Sequence, residues 1–295
     1  MSFGLGEFYS IACAFAWAVA VVLFKKSGES LGPFALNLFK NLSVLPLFAL
    51  TLLVLHGTTL PHVPAQDLAL ILISGVLGIA AGDTFYFRAL NAIGASRIAV
   101  AQTLYSPFVI GLSMLFLGER LRGWQFAGVA LVLAGILLVT WSRAEQDIDS
   151  RALLRGVGHA VLAMLLMALG VVMAKPLLER HDFVWVVFLR IIGGSLGMLA
   201  FALLLRKTGA LVTEYRAVRH WPQIVFGAVT GTYISMLLWL AGYKYTQASI
   251  AAVLNELAAV FILLLAVLFL KERVGRRQVA GVALALAGVG LVVLR

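Results

Sequence analysis

The sequence predicts an all-α integral membrane protein in which ten transmembrane helices form two inverted five-helix repeats. Three observations predict it. Of 295 residues, 62% are hydrophobic and 12% charged, about half the charged share of a soluble domain. The apolar residues come in runs of about 20, the length a helix needs to cross the hydrocarbon core. The chain also repeats itself. Leu115–Val139 (LFLGERLRGWQFAGVALVLAGILLV) and Leu268–Val292 (LFLKERVGRRQVAGVALALAGVGLV) are identical at 16 of 25 positions, at an offset of 153. Such self-similarity is far above chance even for apolar sequence.

The runs place spans at Tyr9–Phe24, Phe34–Leu55, Leu68–Arg88, Ile98–Leu117, Trp124–Trp141, Gly156–Ala174, Val184–Leu205, Gln223–Gly242, Ile250–Leu270 and Gln278–Leu294. Backbone groups in lipid must bond within their own segment, so each span is a helix; the alternation of a barrel strand is not seen. Residues 1–143 form the first repeat, 144–155 a polar linker, and 156–295 the second repeat. Five is odd, so the second copy enters from the opposite face. Inverted repeats of this kind build alternating-access carriers that hold substrate near the midplane.

Taken in order, the spans differ in what they carry. Span one contributes Trp17, deep enough to line a cavity. Span two carries Asn37, Lys40 and Asn41, whose spacing of three to four puts them near one helix face. Span three carries Asp83 and Tyr86, and span four Gln102 and Tyr105 before Pro107, which frees a backbone carbonyl. Spans five and ten are apolar and small, with Ala130/Ala134 and Gly281/Ala285 on one face each, and read as scaffold or dimer contact. The chain is thus expected to be a monomer or a homodimer. Span seven carries Arg190, the mate of Lys40 at an offset of 150. Span eight offers Tyr233 and Trp239; span nine offers Asn255, the mate of Gln102, and Glu256. The turns after spans four and nine carry Glu119–Arg120 and Glu272–Arg273, read either as interfacial charge pairs or as gate clasps. Arg88 and Arg97 bracket a short loop.

The acids are the informative residues. Lys40 and Arg190 can snorkel to the interface or line a cavity. A short acid in mid-helix has no such escape, so Asp83 and Glu256 are paired, protonated or facing a wet chamber. Asp83 then either pairs with Lys40 or Arg190, or titrates as protons couple to transport. Aromatic residues beside both signs of charge suit a zwitterion such as an amino acid, or an aromatic cation.

Other features exclude classes. The formal charge of +10 is gathered at span ends, where Lys and Arg meet lipid headgroups, so nucleic acid is not the expected partner. Cys13 is the single cysteine, which rules out a cysteine metal cluster. No phosphate-binding loop, dinucleotide fingerprint or calcium loop is present, and no cofactor is expected. The first span lacks a basic leader and is read as retained.

The doubled LFLGERL…QFAGVALVLAGILLV unit, with its X-Glu-Arg turn, Gln and Gly/Ala-rich helix, resembles the repeat of the drug/metabolite transporter superfamily, in its EamA-type ten-helix branch. GDTFYFRALNAIGASRIAV resembles one subgroup of that branch. The resemblance spans essentially the whole chain. It implies a membrane carrier for a small metabolite, usually an efflux carrier, in a bacterial cell inner membrane. Gly118 departs to Lys271 in the second copy, and Pro107 to Val260. Rival readings are a passive channel and, further off, an intramembrane acid-dependent enzyme; for the latter, no span holds a mid-helix histidine base. The resemblance implies cytoplasmic termini. Basic residues outside the spans point the other way, with about 15 on the odd-loop side and about 6 on the side of the termini.

Overall fold

The computed structural model describes residues 4–27, 31–140, 150–218, 221–261, 264–265 and 276–293. Among these residues every regular element is a helix. In chain order they are α1 (Leu5–Ser27), α2 (Pro33–His56), α3 (Ala65–Gly75), α4 (Asp83–Gln102), α5 (Tyr105–Phe116), α6 (Gly123–Thr140) and α7 (Ser150–Arg180). The series continues with α8 (Phe183–Leu204), α9 (Thr208–Ala217), α10 (Trp221–Ala228), α11 (Ser235–Tyr245), α12 (Ala248–Asn255) and α13 (Arg276–Val293). π-Helical turns join α3 to α4 over Val76–Gly82 and α10 to α11 over Val229–Ile234.

Five stretches are long and apolar enough to cross a membrane: Pro33–His56, Ala65–Leu90, Leu153–Arg180, Phe183–Leu204 and Trp221–Tyr245. Shorter apolar helices lie at the other predicted spans. Burial is turned inside out relative to a soluble protein. Val54 and Leu204 are 75% and 81% exposed, whereas Lys40 and Arg190 are 3% and 1% exposed. Only an apolar solvent makes that arrangement favourable, because polar groups must then find one another inside. The protein is a helical, multi-pass membrane protein.

Repeat-equivalent helices meet antiparallel. At one end of the α2–α8 pair His56 reaches Asp182 at 3.1 Å, and at the other Phe34 stacks near Phe201 with centroids 5.7 Å apart. Across α5 and α12, Ser113 bonds Ser249 at 2.7 Å and Ser106 bonds Glu256 at 2.9 Å. In the α6–α13 pair, Gly128 packs on Gly288 and Gly135 on Gly281. A Cβ on Gly128 would lie 2.8 Å from the Gly288 carbonyl, and one on Gly135 2.5 Å from that of Gly281. At the offset of 153, Gly281 is the mate of Gly128 and Gly288 that of Gly135, so each glycine meets the mate of the other. The small face holding Gly281 and Ala285 is therefore occupied within the chain, while Ala130 and Ala134 face outward.

The helix irregularities recur in register. The π-helical turns begin at Val76 and Val229, again 153 apart. α5 is separated from α4 by a turn at Thr103–Leu104, and α12 is followed by one at Glu256–Leu257. Pro107 accounts for the first break, since it cannot donate to the Thr103 carbonyl and its ring crowds that oxygen. Val260 stands at the equivalent position, so the second break is held by packing.

Three local differences from the sequence expectation appear. Helix α7 begins at Ser150, inside the predicted linker, because SRALLR is rich in helix formers. α9 lies within the connection between spans seven and eight, where no element is predicted. Helical hydrogen bonding runs through Asp83–Gln102, across the predicted Arg88–Arg97 loop. Yet the Tyr86 hydroxyl reaches Gln102 Oε1 at 3.4 Å. A straight helix would part those residues by about 24 Å, so the chain folds back within this stretch. The linker residues 144–149 lie outside the described residues.

Candidate functional site

The π-helical turn Val76–Gly82 organises the interior. Such a turn widens the helix by about one residue per turn and commonly marks functional sites. Asn37, fully buried on α2, donates to the Ile79 carbonyl at 3.0 Å and lies 3.3 Å from Thr84 Oγ1. One turn on, Asn41 donates to Asn37 Oδ1 at 3.1 Å, and its own Oδ1 is buried without a hydrogen-bond partner. Between them Lys40 extends to Asp83, Nζ to Oδ2 2.6 Å, with its ammonium 5.9 Å from the Phe87 ring centroid. Lys40 is 4% exposed and Asp83 18%. The short, charge-assisted contact satisfies both ions in a setting where either alone is costly.

Arg190 occupies the other side of the same turn. Its Nη1 donates to Ser74 Oγ at 2.8 Å and to the Gly170 carbonyl at 2.6 Å. Gly75 meets the Arg190 backbone so closely that any Cβ there would overlap it, and Gly170 meets Gly78 in the same way. Lys40 and Arg190 each lie seven residues into antiparallel helices, about 10 Å from opposite ends of the α2–α8 pair at 1.5 Å per residue. The two cations thus sit toward opposite ends of that pair, not side by side. Asp83 and Tyr105 are both within electrostatic range of the guanidinium.

The broken spans bring a second polar group. Glu256, on the α12 break, accepts from Ser106, and the Tyr105 and Tyr243 hydroxyls are 2.7 Å apart. Asn255 donates to the Ala251 carbonyl of its own helix at 2.8 Å. Tyr233 shares a hydrogen bond with Thr51 and packs edge-on to Phe48. Trp239 packs edge-on to Tyr243, with centroids 5.4 Å apart. Trp17 is half-buried on α1 and Gln102 half-buried at the end of α4.

The candidate turn residues do something the spacing does not suggest. Glu119 reaches across to the second half, where its carboxylate accepts from the Ala248 and Ser249 amides at 2.7 and 3.1 Å and from Ser249 Oγ at 2.9 Å. It caps the N-terminus of α12, where four amides lack helical partners and a negative charge is favoured. Arg120 instead lines a cavity of about 370 Å³ at the membrane face, with Glu7, Arg122 and Thr246. Gly118, with φ of 66°, gives the left-handed turn that aims Glu119. Glu272 and Arg273 lie outside the described residues.

Sequence reasoning missed Ser74, Gly170, Thr84 and Tyr243. A lone serine in an apolar helix was the available signal for Ser74. The glycines gave none beyond their presence, and Tyr243 needed its spacing of four from Trp239.

The profile described as the EamA-like transporter family matches residues 4–141 and again 154–294. The chain belongs to the EamA-like transporter family. An uncharacterised transporter of Archaeoglobus fulgidus is 24% identical to this EamA-like chain over 288 residues, 97% of this chain and 96% of that protein. The rat UDP-N-acetylglucosamine transporter is 24% identical over 202 residues, 66% of this chain and 60% of its own. A crystal structure of a protein 19% identical superposes with a TM-score of 0.75 over 97% of this chain and 94% of that one; at that identity the likeness speaks for the fold. EamA-like membership makes the protein a membrane transporter with a small-molecule substrate.

Proposed function

We propose that the protein is an alternating-access carrier, built of two inverted five-helix units, that exports a small zwitterionic or aromatic metabolite such as an amino acid against inward-moving protons. The proposed setting is a bacterial inner membrane. One observation carries the reading: the buried Lys40–Asp83 pair, 2.6 Å apart and beside a π-helical turn. A carrier needs charged groups whose pairing changes as the halves rock, and irregular helices deep in the membrane are where such groups are found. Antiparallel packing of equivalent helices supports the inverted units. In this cycle Asp83 takes a proton from outside as substrate leaves to that side, which releases Lys40. The protonated carrier turns inward, Asp83 gives its proton to the cytoplasm and re-forms the pair with Lys40, and the next substrate binds.

Transport in proteoliposomes tests this. With Asp83→Asn, uphill substrate movement driven by a pH gradient is lost while downhill exchange persists. An unchanged response to the gradient removes Asp83 from the coupling role. Exchange of labelled substrate that never saturates would mean a channel.

A further inference from the structure

The described interior holds three buried cations, and they are not treated alike. Lys40 has Asp83. Lys175 has Glu179 at 3.1 Å and the carbonyls of Tyr243 and Thr246, each at 2.8 Å. Arg190, 1% exposed, has only the neutral Ser74 hydroxyl and Gly170 carbonyl, both on Nη1. Among the described residues no carboxylate pairs with it. Asp83 is engaged by Lys40 and Glu256 by Ser106. Its Nε is buried without a hydrogen-bond partner. Nε–H and Nη2–H point the same way and form the fork that binds a carboxylate or phosphate side-on. With Nη1 occupied, that fork is the part left over. Beside Nη2 lies Gly78, where even an added Cβ would come no nearer than 3.6 Å. A guanidinium this deep in a membrane protein, with no carboxylate in contact with it among the described residues, is destabilising. Neutral packing in its place would fold at least as well.

We infer that the transported molecule carries an oxyanion, a carboxylate or a phosphate, and that the Nε/Nη2 edge of Arg190 receives it. This rests on the carrier reading above. The fork is shielded in the present conformation and would meet the ligand as α8 and the Val76–Gly82 turn part. A purely cationic aromatic substrate is excluded, since it would add charge beside Arg190 and leave the fork empty.

The test uses the full-length protein in detergent and four probes on one ring: phenylalanine, 3-phenylpropionate, phenyl phosphate and phenethylamine. Pooled metabolites are run beside them, sorted by whether they bear an oxyanion. Melting temperature should rise with oxyanion-bearing compounds and stay level with phenethylamine. Carboxylate and phosphate arms tell the two oxyanions apart. Arg190→Gln should abolish the rise. Arg190→Lys keeps the charge and loses the fork, so it guards against a folding failure and should weaken the response about tenfold or more. A rise confined to compounds without an oxyanion overturns the assignment, as does an oxyanion response of unchanged midpoint in both variants. If such a cation also exchanges saturably, the carrier stands and the Arg190 assignment falls. Loss of saturable exchange for every binder would instead remove the carrier.

Discussion

Lys40 and Arg190 occupy the same position in the two copies, yet their surroundings differ in kind. The first faces a carboxylate at 2.6 Å; the second faces a hydroxyl and a carbonyl. At the offset of 153 the mate of Asp83 is Met236, so the second copy has no acid at the matching place. The comparison teaches that duplication preserved the frame while the charges diverged. A carrier with two identical ends of its site would hold a polar substrate no better in one orientation than the other. Here one side neutralises itself and the other awaits a partner.

The comparison is broken most severely by Asp83→Ala, which puts Lys40 in the position of Arg190 but without its neutral acceptors. Leaving a buried ion unpaired should cost about 3–5 kcal/mol, read as a large drop in melting temperature in detergent. The double variant Lys40→Met/Asp83→Leu should recover most of that loss while abolishing transport, because apolar replacements of a buried pair are nearly neutral. A double variant no more stable than Asp83→Ala would mean that the pair is not the interaction being measured.

Ser74→Ala sharpens the other side. It removes one acceptor from the buried Arg190 and should cost about 1–3 kcal/mol, less than Asp83→Ala. Equal losses for the two variants would contradict the contrast between an ion pair and a neutral cradle.

Smaller effects belong to the membrane faces, where the same kinds of junction are made with different chemistry. Glu119→Gln takes the charge from the α12 cap and should cost about 0.5–2 kcal/mol, with faster hydrogen exchange at Ala248 and Ser249. At the turn between α7 and α8, His181 reaches Asp67 at 2.6 Å and Asp182 lies 3.1 Å from His56. The matching turn between α1 and α2 uses the Gly32 amide, which donates to Glu214 at 3.0 Å, and the Ala35 carbonyl, which accepts from Tyr215 at 2.9 Å. His181→Gln should lower stability by no more than about 1 kcal/mol, the smallest change of the set. A larger loss would mark that junction as a principal tie between the halves.

Much of this molecule is readable residue by residue. Asp83 stands out because a short acid in an apolar run has nowhere to go, and Lys40 and Arg190 because the repeat aligns them. Pro107 announces a broken span. Glu256 announces itself as an acid, but nothing in VLNEL marks the break on which it sits, since Val260 replaces the proline. The π-helical turns are equally silent, because a one-residue widening is set by neighbouring helices and leaves no local pattern. Glu119 reads as half of a Glu-Arg pair; its real partners are amides 129 and 130 residues away.

The sequence by itself determined the membrane environment, the helical class, the duplication and the matched cations, since each depends on composition or on periodicity along one chain. Only the tertiary structure decided which cation is neutralised and which is left with an open fork. That choice depends on how far each helix is rotated and how deep it sits. Both are set where glycines let backbones touch, at Gly75 against Arg190 and at Gly170 against Gly78, and no spacing along the chain encodes the distance across such a contact.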